Sequence, residues 1–173
     1  MDFHPSHSRT VGLEIEFQLV DPGTFDLTDG IVPLLEACED DCIKAEFAQS
    51  MVEIASNVCH AVAELDEDVR RHFRYLAERT ELLDLRLCAA GTHPFLDGLA
   101  HVTPEPRFNR MEARAGYVAH YDVTFATHVH VGVESRRELV GLTRDFCAFL
   151  PVFVALSANS PFWRGHRTGY ASF

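Results

Sequence analysis

Val11-Gly12-Leu13-Glu14-Ile15-Glu16-Phe17-Gln18-Leu19 alternates apolar and polar residues without a break. That two-residue period is the pattern of a half-buried β-strand. Leu13, Ile15, Phe17 and Leu19 share one face, and Glu14, Glu16 and Gln18 share the other. Two carboxylates two positions apart then stand side by side. Solvent can screen such a pair, and an ordinary strand with one wet face reads the same way. A divalent cation exploits the pair, because hard cations take carboxylate oxygens.

The pattern recurs downstream. In Phe125-Ala126-Thr127-His128-Val129-His130-Val131-Gly132-Val133 the two histidines share the face opposite Thr127, Val129 and Val131. In Gln49-Ser50-Met51-Val52-Glu53-Ile54-Ala55-Ser56, Gln49 and Glu53 share a face. Aligned in one sheet, these strands build a floor of Glu14, Glu16, Glu53, His128 and His130. Carboxylates with imidazole suit Mg or Mn, with Zn a further option.

The 173 residues suffice for one domain with a real core. A hydrophobic content of 47% and a charged content of 24% place the chain among globular proteins. The net charge of −11 argues against a nucleic-acid partner, which requires a basic footprint. Cys38, Cys42, Cys59, Cys88 and Cys147 make an odd number without paired spacing. They read as free thiols of a cytoplasmic, reducing compartment. Residues 1–9 lack the apolar core of a signal peptide. The uncharged run Phe146 to Trp163 is interrupted by Pro151 and Pro161, so it predicts a buried helix and then a loop, with no membrane span.

Turn signals at Asp21-Pro22-Gly23 end the first strand. A short helix is expected near Ile31 to Cys38, and strands at Ile43 to Phe47 and Gln49 to Val58. Val62, Leu65, Val69, Phe73 and Leu76 recur at helical spacing, predicting a helix from about His60 to Leu83. A strand over Leu85 to Ala90, a helix over Phe108 to Asp122, the histidine strand and a helix over Ser135 to Leu156 follow, the last with a kink or break at Pro151. Clean two-faced alternation favours a mainly antiparallel sheet. The expected fold is α+β, a single domain over residues 1–173, with helices packed on one face and an open polar face on the other.

Two loops carry further candidates. Gly91-Thr92-His93-Pro94-Phe95 reads as a turn, or as a wall of the site with Thr92 and His93 on substrate. Arg164-Gly165-His166-Arg167-Thr168-Gly169 reads as a solvated basic loop, or as a clamp for carboxylate or phosphate. Arg107, Arg110 and Arg114 fit surface pairing with Glu105 or Glu112, except that Arg107 or Arg110 could instead face the cleft.

Five motifs together resemble the carboxylate–amine ligases, the type 2 glutamate–cysteine ligases of the glutamine synthetase-like superfamily. They are Gly12-Leu13-Glu14-Ile15-Glu16, Ser50-Met51-Val52-Glu53-Ile54-Ala55, Gly91-Thr92-His93-Pro94-Phe95, His128-Val129-His130-Val131-Gly132 and Leu156-Ser157-Ala158-Asn159-Ser160-Pro161-Phe162-Trp163. Their order is that of the family. The resemblance implies an ATP-dependent ligase that phosphorylates the γ-carboxylate of glutamate and lets an amine such as that of cysteine displace phosphate. It implies Mg, or Mn, held by Glu14, Glu16, Glu53 and His128. Catalysis would rest on Glu14, Glu16 and Arg167, ATP contacts on His130 and Arg164, and substrate contacts on Thr92 and His93.

Two departures stand out. Gln49 lies where the family usually has Glu, which removes one charge. The family is also roughly twice this length, so the chain reads as the N-terminal half of a longer catalytic domain. The alternative is an inactive truncated homologue acting as a nucleotide-, metal- or protein-binding domain. An exposed sheet edge invites a homo-oligomer.

Overall fold

A computed structural model describes residues 3–6, 8–121 and 123–172. The architecture is α+β, organised around the opening strand. β1 (Val11–Val20) is central. One side pairs with β3 (Met51–Ala55), which carries β2 (Ile43–Ala45) on its far edge. The other side is shared: β5 (Thr127–Val131) pairs with the first half of β1 and β4 (Arg86–Cys88) with the second. Every pairing is antiparallel.

Helices α1 (Ile31–Glu36) and α2 (Val62–Leu82) cover the apolar face. Phe17, Leu19, Val52 and Ile54 meet Ile31, Leu34 and Leu76 in the main core. Burying side chains of this size contributes roughly 1.5–3 kcal/mol each. Gly30 sits where α1 closes onto the sheet. A Cβ there would lie 2.5 Å from Leu85 Cδ1, so any larger residue would require the Leu85 side chain to shift.

The buried stripe of α2 is Leu65, Asp68, His72, Leu76 and Thr80. Periodicity had selected Val62 and Phe73, which are exposed. Polar groups displace them because Asp68 and His72 find partners inside, including Asn57 and Asp40. A buried polar group costs little once it is hydrogen-bonded.

The polar face is only partly open. Met51, Ala48, Ala100, Val123 and Phe125 form a second cluster, flanked by Trp163. Met51 is the cross-strand partner of Gln18 and shares its face, so this end of the floor is covered. Gln18 is consequently fully buried, although the alternation pattern makes it a wet residue. Gln49 also departs from expectation. It precedes β3, and its amide donates to the Val102 carbonyl (3.0 Å) instead of joining Glu53.

The helix predicted to start at Phe108 is α3 (Pro106–Ala115), with Pro106 at its first turn, followed by a 3-10 segment Gly116–Tyr121. Its predicted end at Asp122 lies outside the described residues. The last helical region divides as Pro151 dictates. α4 (Arg136–Phe146) passes through a 3-10 turn, Cys147–Phe149, into α5 (Leu150–Ser157). Proline at position 151 removes the donor that would continue α-helical bonding across the junction. Ser135 caps α4 by accepting from Glu138 N–H (3.1 Å).

The expectation of a buried helix here is overturned. No residue of α4 or α5 is buried, and Val154 and Leu156 are exposed. No described element covers the outer side of this region. By length and composition, Arg136–Ser157 is long and apolar enough to cross a membrane. The chain ends in a hairpin, β6 (Phe162–Trp163) and β7 (His166–Arg167). Its turn residues Arg164 and Gly165 both have positive φ, as a two-residue primed turn requires.

Candidate functional site

Direct cross-strand partners share a face, so register alone builds the floor. Glu16 faces Glu53, which in turn faces Lys44; Glu14 faces Ala55 on one side and His128 on the other; Gly12 faces His130. Since Gly12 has no side chain, nothing stands between His130 and its diagonal neighbour Glu14. His130 Nε2 lies 3.1 Å and His128 Nδ1 3.5 Å from Glu14 Oε2. The floor reasoned from three alternating strands is thus assembled by pairing.

Two groups of ligand-type atoms come together. Glu14, Glu53 and His128 present oxygens and a nitrogen within 4.8 Å of one another. Glu16, Glu46 and Glu53 do the same, with Glu53 common to both groups. Glu53 is only 7% exposed. Burial pushes its carboxyl above the usual range, and the negative charges of Glu14, Glu46 and Glu16 push the same way, with Lys44 opposing them. Glu16 is held in addition by the Ala126 backbone N–H, which donates to its Oε2 (2.7 Å).

Glu46 was missed in the sequence. It follows Lys44 by two positions in the predicted strand Ile43 to Phe47, and alternation applied there places both on one face. The Ala126 amide had no sequence signal, because any residue supplies it.

The remaining candidates form a second locus. Thr92 and His93 are interior, at 6% and 2% exposure. His93 Nε2 bonds the Phe25 carbonyl (2.9 Å), and its ring stands edge-on to Phe95. Thr92 Oγ1 and His93 Nδ1 have no hydrogen-bond partner among the described residues. The β6–β7 hairpin docks on this loop: Gly165 N–H donates to the Pro94 carbonyl (3.0 Å), and Arg164 pairs with Asp97 (3.1 Å). Arg167 is exposed on β7.

The backbone connects the two loci. Phe125 N–H donates to the Gly91 carbonyl (2.9 Å), one residue before the Ala126 amide that holds Glu16. A cleft of about 580 Å³ lies along this junction, lined by Gly91, Ala126, Thr127, Phe153 and Asn159 among others. Arg107, left open between surface and cleft, pairs with Glu105 (3.1 Å) and donates to the Ala45 carbonyl (2.6 Å).

The donor set fits a hard divalent cation: carboxylate oxygens dominate, and one imidazole joins them. Four carboxylates tempered by Lys44 also leave excess negative charge for a cation to neutralise.

Residues 10–173 match the model of glutamate–cysteine ligase family 2. A protein of Trichormus variabilis, provisionally named glutamate–cysteine ligase 2, is 41% identical over 174 residues, covering 100% of this chain and 45% of that protein. Proteins with the same provisional name from Thermobifida fusca and Solibacter usitatus are 34% and 37% identical, over 99% and 96% of this chain and 45% and 44% of theirs. The chain therefore spans less than half the length of these relatives. The five motifs and the family match agree, and the chain belongs to glutamate–cysteine ligase family 2.

Proposed function

We propose that this chain contributes the metal-binding floor of an ATP-dependent carboxylate–amine ligase that joins glutamate to an amine such as that of cysteine. One observation carries the reading: Glu14, Glu53 and His128 converge within 4.8 Å, beside a second convergence of Glu16, Glu46 and Glu53. Glu14, Glu53 and His128 would hold one Mg or Mn ion, and Glu16 and Glu46, with Glu53 beside them, would hold another. A bound divalent ion supplies neutralisation of the phosphate oxygens of ATP, the main demand of phosphoryl transfer.

The chain's own residues do the positioning. His130 orients Glu14 and reaches toward ATP phosphate from the end of the floor. The Ala126 amide fixes the Glu16 rotamer. Arg164 and Arg167, on the hairpin next to the Gly91–Phe95 loop, offer guanidinium groups for the acyl phosphate or the substrate carboxylate. Thr92 and His93 shape the loop that bounds the substrate. Five free thiols fit work in the reducing cytoplasm.

To test the reading, the purified chain is incubated with Mg-ATP, glutamate and cysteine, and ADP and γ-glutamylcysteine are measured. Product above that of a Glu14→Gln control supports it. Equal yields refute catalysis by this chain. A second reading, a binding domain without turnover, is favoured by neutral Gln49, whose amide donates to the Val102 carbonyl instead of joining the floor. Calorimetry with Mg-ATP separates that case from an inert one.

A further inference from the structure

We propose that Cys42, His72 and Asp40 form a zinc site, on the helix-covered side of the sheet and apart from the carboxylate floor. The three side chains offer a sulfur, an imidazole nitrogen and a carboxylate oxygen, all within 4.8 Å of one another. Asp40 and Cys42 lie on the turn before β2, and His72 comes from the middle of α2. Thiolate, imidazole and carboxylate together suit Zn rather than the hard Mg that the floor suits. Three protein ligands also leave a fourth position for water.

His72 is 4% exposed. Its Nδ1 donates to Asp40 Oδ2 (2.5 Å), and its Nε2 accepts from the Arg71 guanidinium (3.1 Å), with Asp68 Oδ1 3.4 Å away. Metal-ligating histidines commonly donate their other N–H to a carboxylate, which fixes tautomer and ring orientation. Asp68 is itself held, by the Asn57 backbone N–H (2.8 Å) and the Asn57 side-chain amide (3.0 Å). Access exists as well. A cleft of about 510 Å³ opens over Asp40, Cys42 and His72, and Glu39 and Asp41 add negative charge at its rim.

Zinc enters with a balanced exchange of protons. The imidazole proton leaves Nδ1 and is carried on Nε2, where Asp68 accepts it. Arg71 donates to Nε2 (3.1 Å) and pairs with Asp68 Oδ1 (2.5 Å), so this exchange requires its exposed guanidinium to leave Nε2. The Cys42 thiol proton goes to solvent, and the thiolate binds.

Cobalt(II) replaces zinc with a visible readout, because a cobalt–thiolate bond gives a near-ultraviolet charge-transfer band. The carboxylate floor holds no cysteine and cannot produce it. The expected result is a band that saturates at one thiolate-bound Co(II) per chain, in addition to any Co(II) on the floor, and that zinc displaces. Cys42→Ser abolishes the band, whereas Glu53→Gln leaves it unchanged. Asp68→Asn keeps the band and weakens zinc binding by about 10–100-fold. Iodoacetamide labelling of the wild-type chain gives a second measurement that requires no variant: zinc protects Cys42 and leaves exposed Cys147 reactive. Absence of the band, its persistence in Cys42→Ser, or unchanged labelling of Cys42 with zinc present would overturn the proposal.

Discussion

Glu16 on β1 and Glu53 on β3 are direct cross-strand partners, so two carboxylates project from one face of the sheet at its centre. Like charges placed opposite each other destabilise a ladder. Here the cost is concentrated on Glu53, which is buried and has two further carboxylates, Glu14 and Glu46, nearby. The arrangement makes sense as a place for a cation, and that can be measured in several ways.

In chelator-treated buffer, Glu53→Gln should raise the thermal midpoint, because it removes a buried like charge. Cross-strand pair terms suggest a gain of up to about 1 kcal/mol. The sign follows from linkage. The raised carboxyl of Glu53 favours the fold below 4.5, and that contribution is lost as pH rises through its folded value. The midpoint difference between the two proteins should therefore shrink on acidification. A wild-type midpoint above that of Glu53→Gln at neutral pH without metal would contradict this.

Mn(II) binding, followed by the loss of its free-ion electron paramagnetic resonance signal, should weaken at least about tenfold in His128→Gln, equivalent to about 1.4 kcal/mol. Glu14→Gln should do the same. Lys44→Gln should strengthen binding, since it removes the charge that opposes the cation. Equal titration curves for all four proteins would place the ion elsewhere.

Gln18 offers a test free of metal. It is fully buried, and neither amide atom has a hydrogen-bond partner among the described residues. An unsatisfied buried polar group costs about 1–3 kcal/mol. Gln18→Met, which keeps the length of the side chain, should shift the urea midpoint upward by an amount within that range. A downward shift would mean that the amide is satisfied in solution.

Acid should unfold the chain partly through the loop–α2 network. Burial raises Asp40, but the Cys42 backbone N–H and His72 outweigh it, leaving the carboxyl below its usual value. Asp68 is likewise raised by burial and lowered on balance by Asn57, His72 and Arg71. Groups with depressed folded values stabilise above their ordinary 3.8 and lose that contribution as pH falls through the folded value. Midpoints measured without metal from pH 5 downward should fall less steeply in Asp68→Asn than in wild type.

The α4–α5 region should drive self-association of this chain. Phe146, Phe149, Val152, Val154 and Leu156 are all exposed, and large apolar patches mark interaction surfaces. Sedimentation at micromolar concentration should show dimers or larger species, and Val154→Glu with Leu156→Lys should return them to monomer. A monomeric wild-type chain would refute this.

Much of the floor was legible locally. Alternation states which side chains share a face of a strand, so Glu14 with Glu16, and His128 with His130, could be grouped before any pairing was known. Glu46 yields to the same rule. The structural role of Gln49 does not, because it depends on the Val102 carbonyl 53 residues away in the chain.

Local periodicity also fails where neighbours decide burial. Gln18 alternates like Glu16, yet Met51 and the second apolar cluster close over it. Val62 fits the helical stripe better than Asp68, yet Asp68 is buried because Asn57 and His72 satisfy it. The apolar pattern of α5 reads as core, yet no described element packs over it.

Face and period are properties of consecutive residues, set by backbone geometry, and residues 11–19 carry them openly. Register is a property of pairs distant in the chain. It is selected by the total packing that each alignment allows. The short alternating run at the start of this protein thus announced a strand with two carboxylates on one side. Only folding brought Glu53 opposite Glu16 and His128 opposite Glu14, and so gathered their ligand-type atoms on one floor.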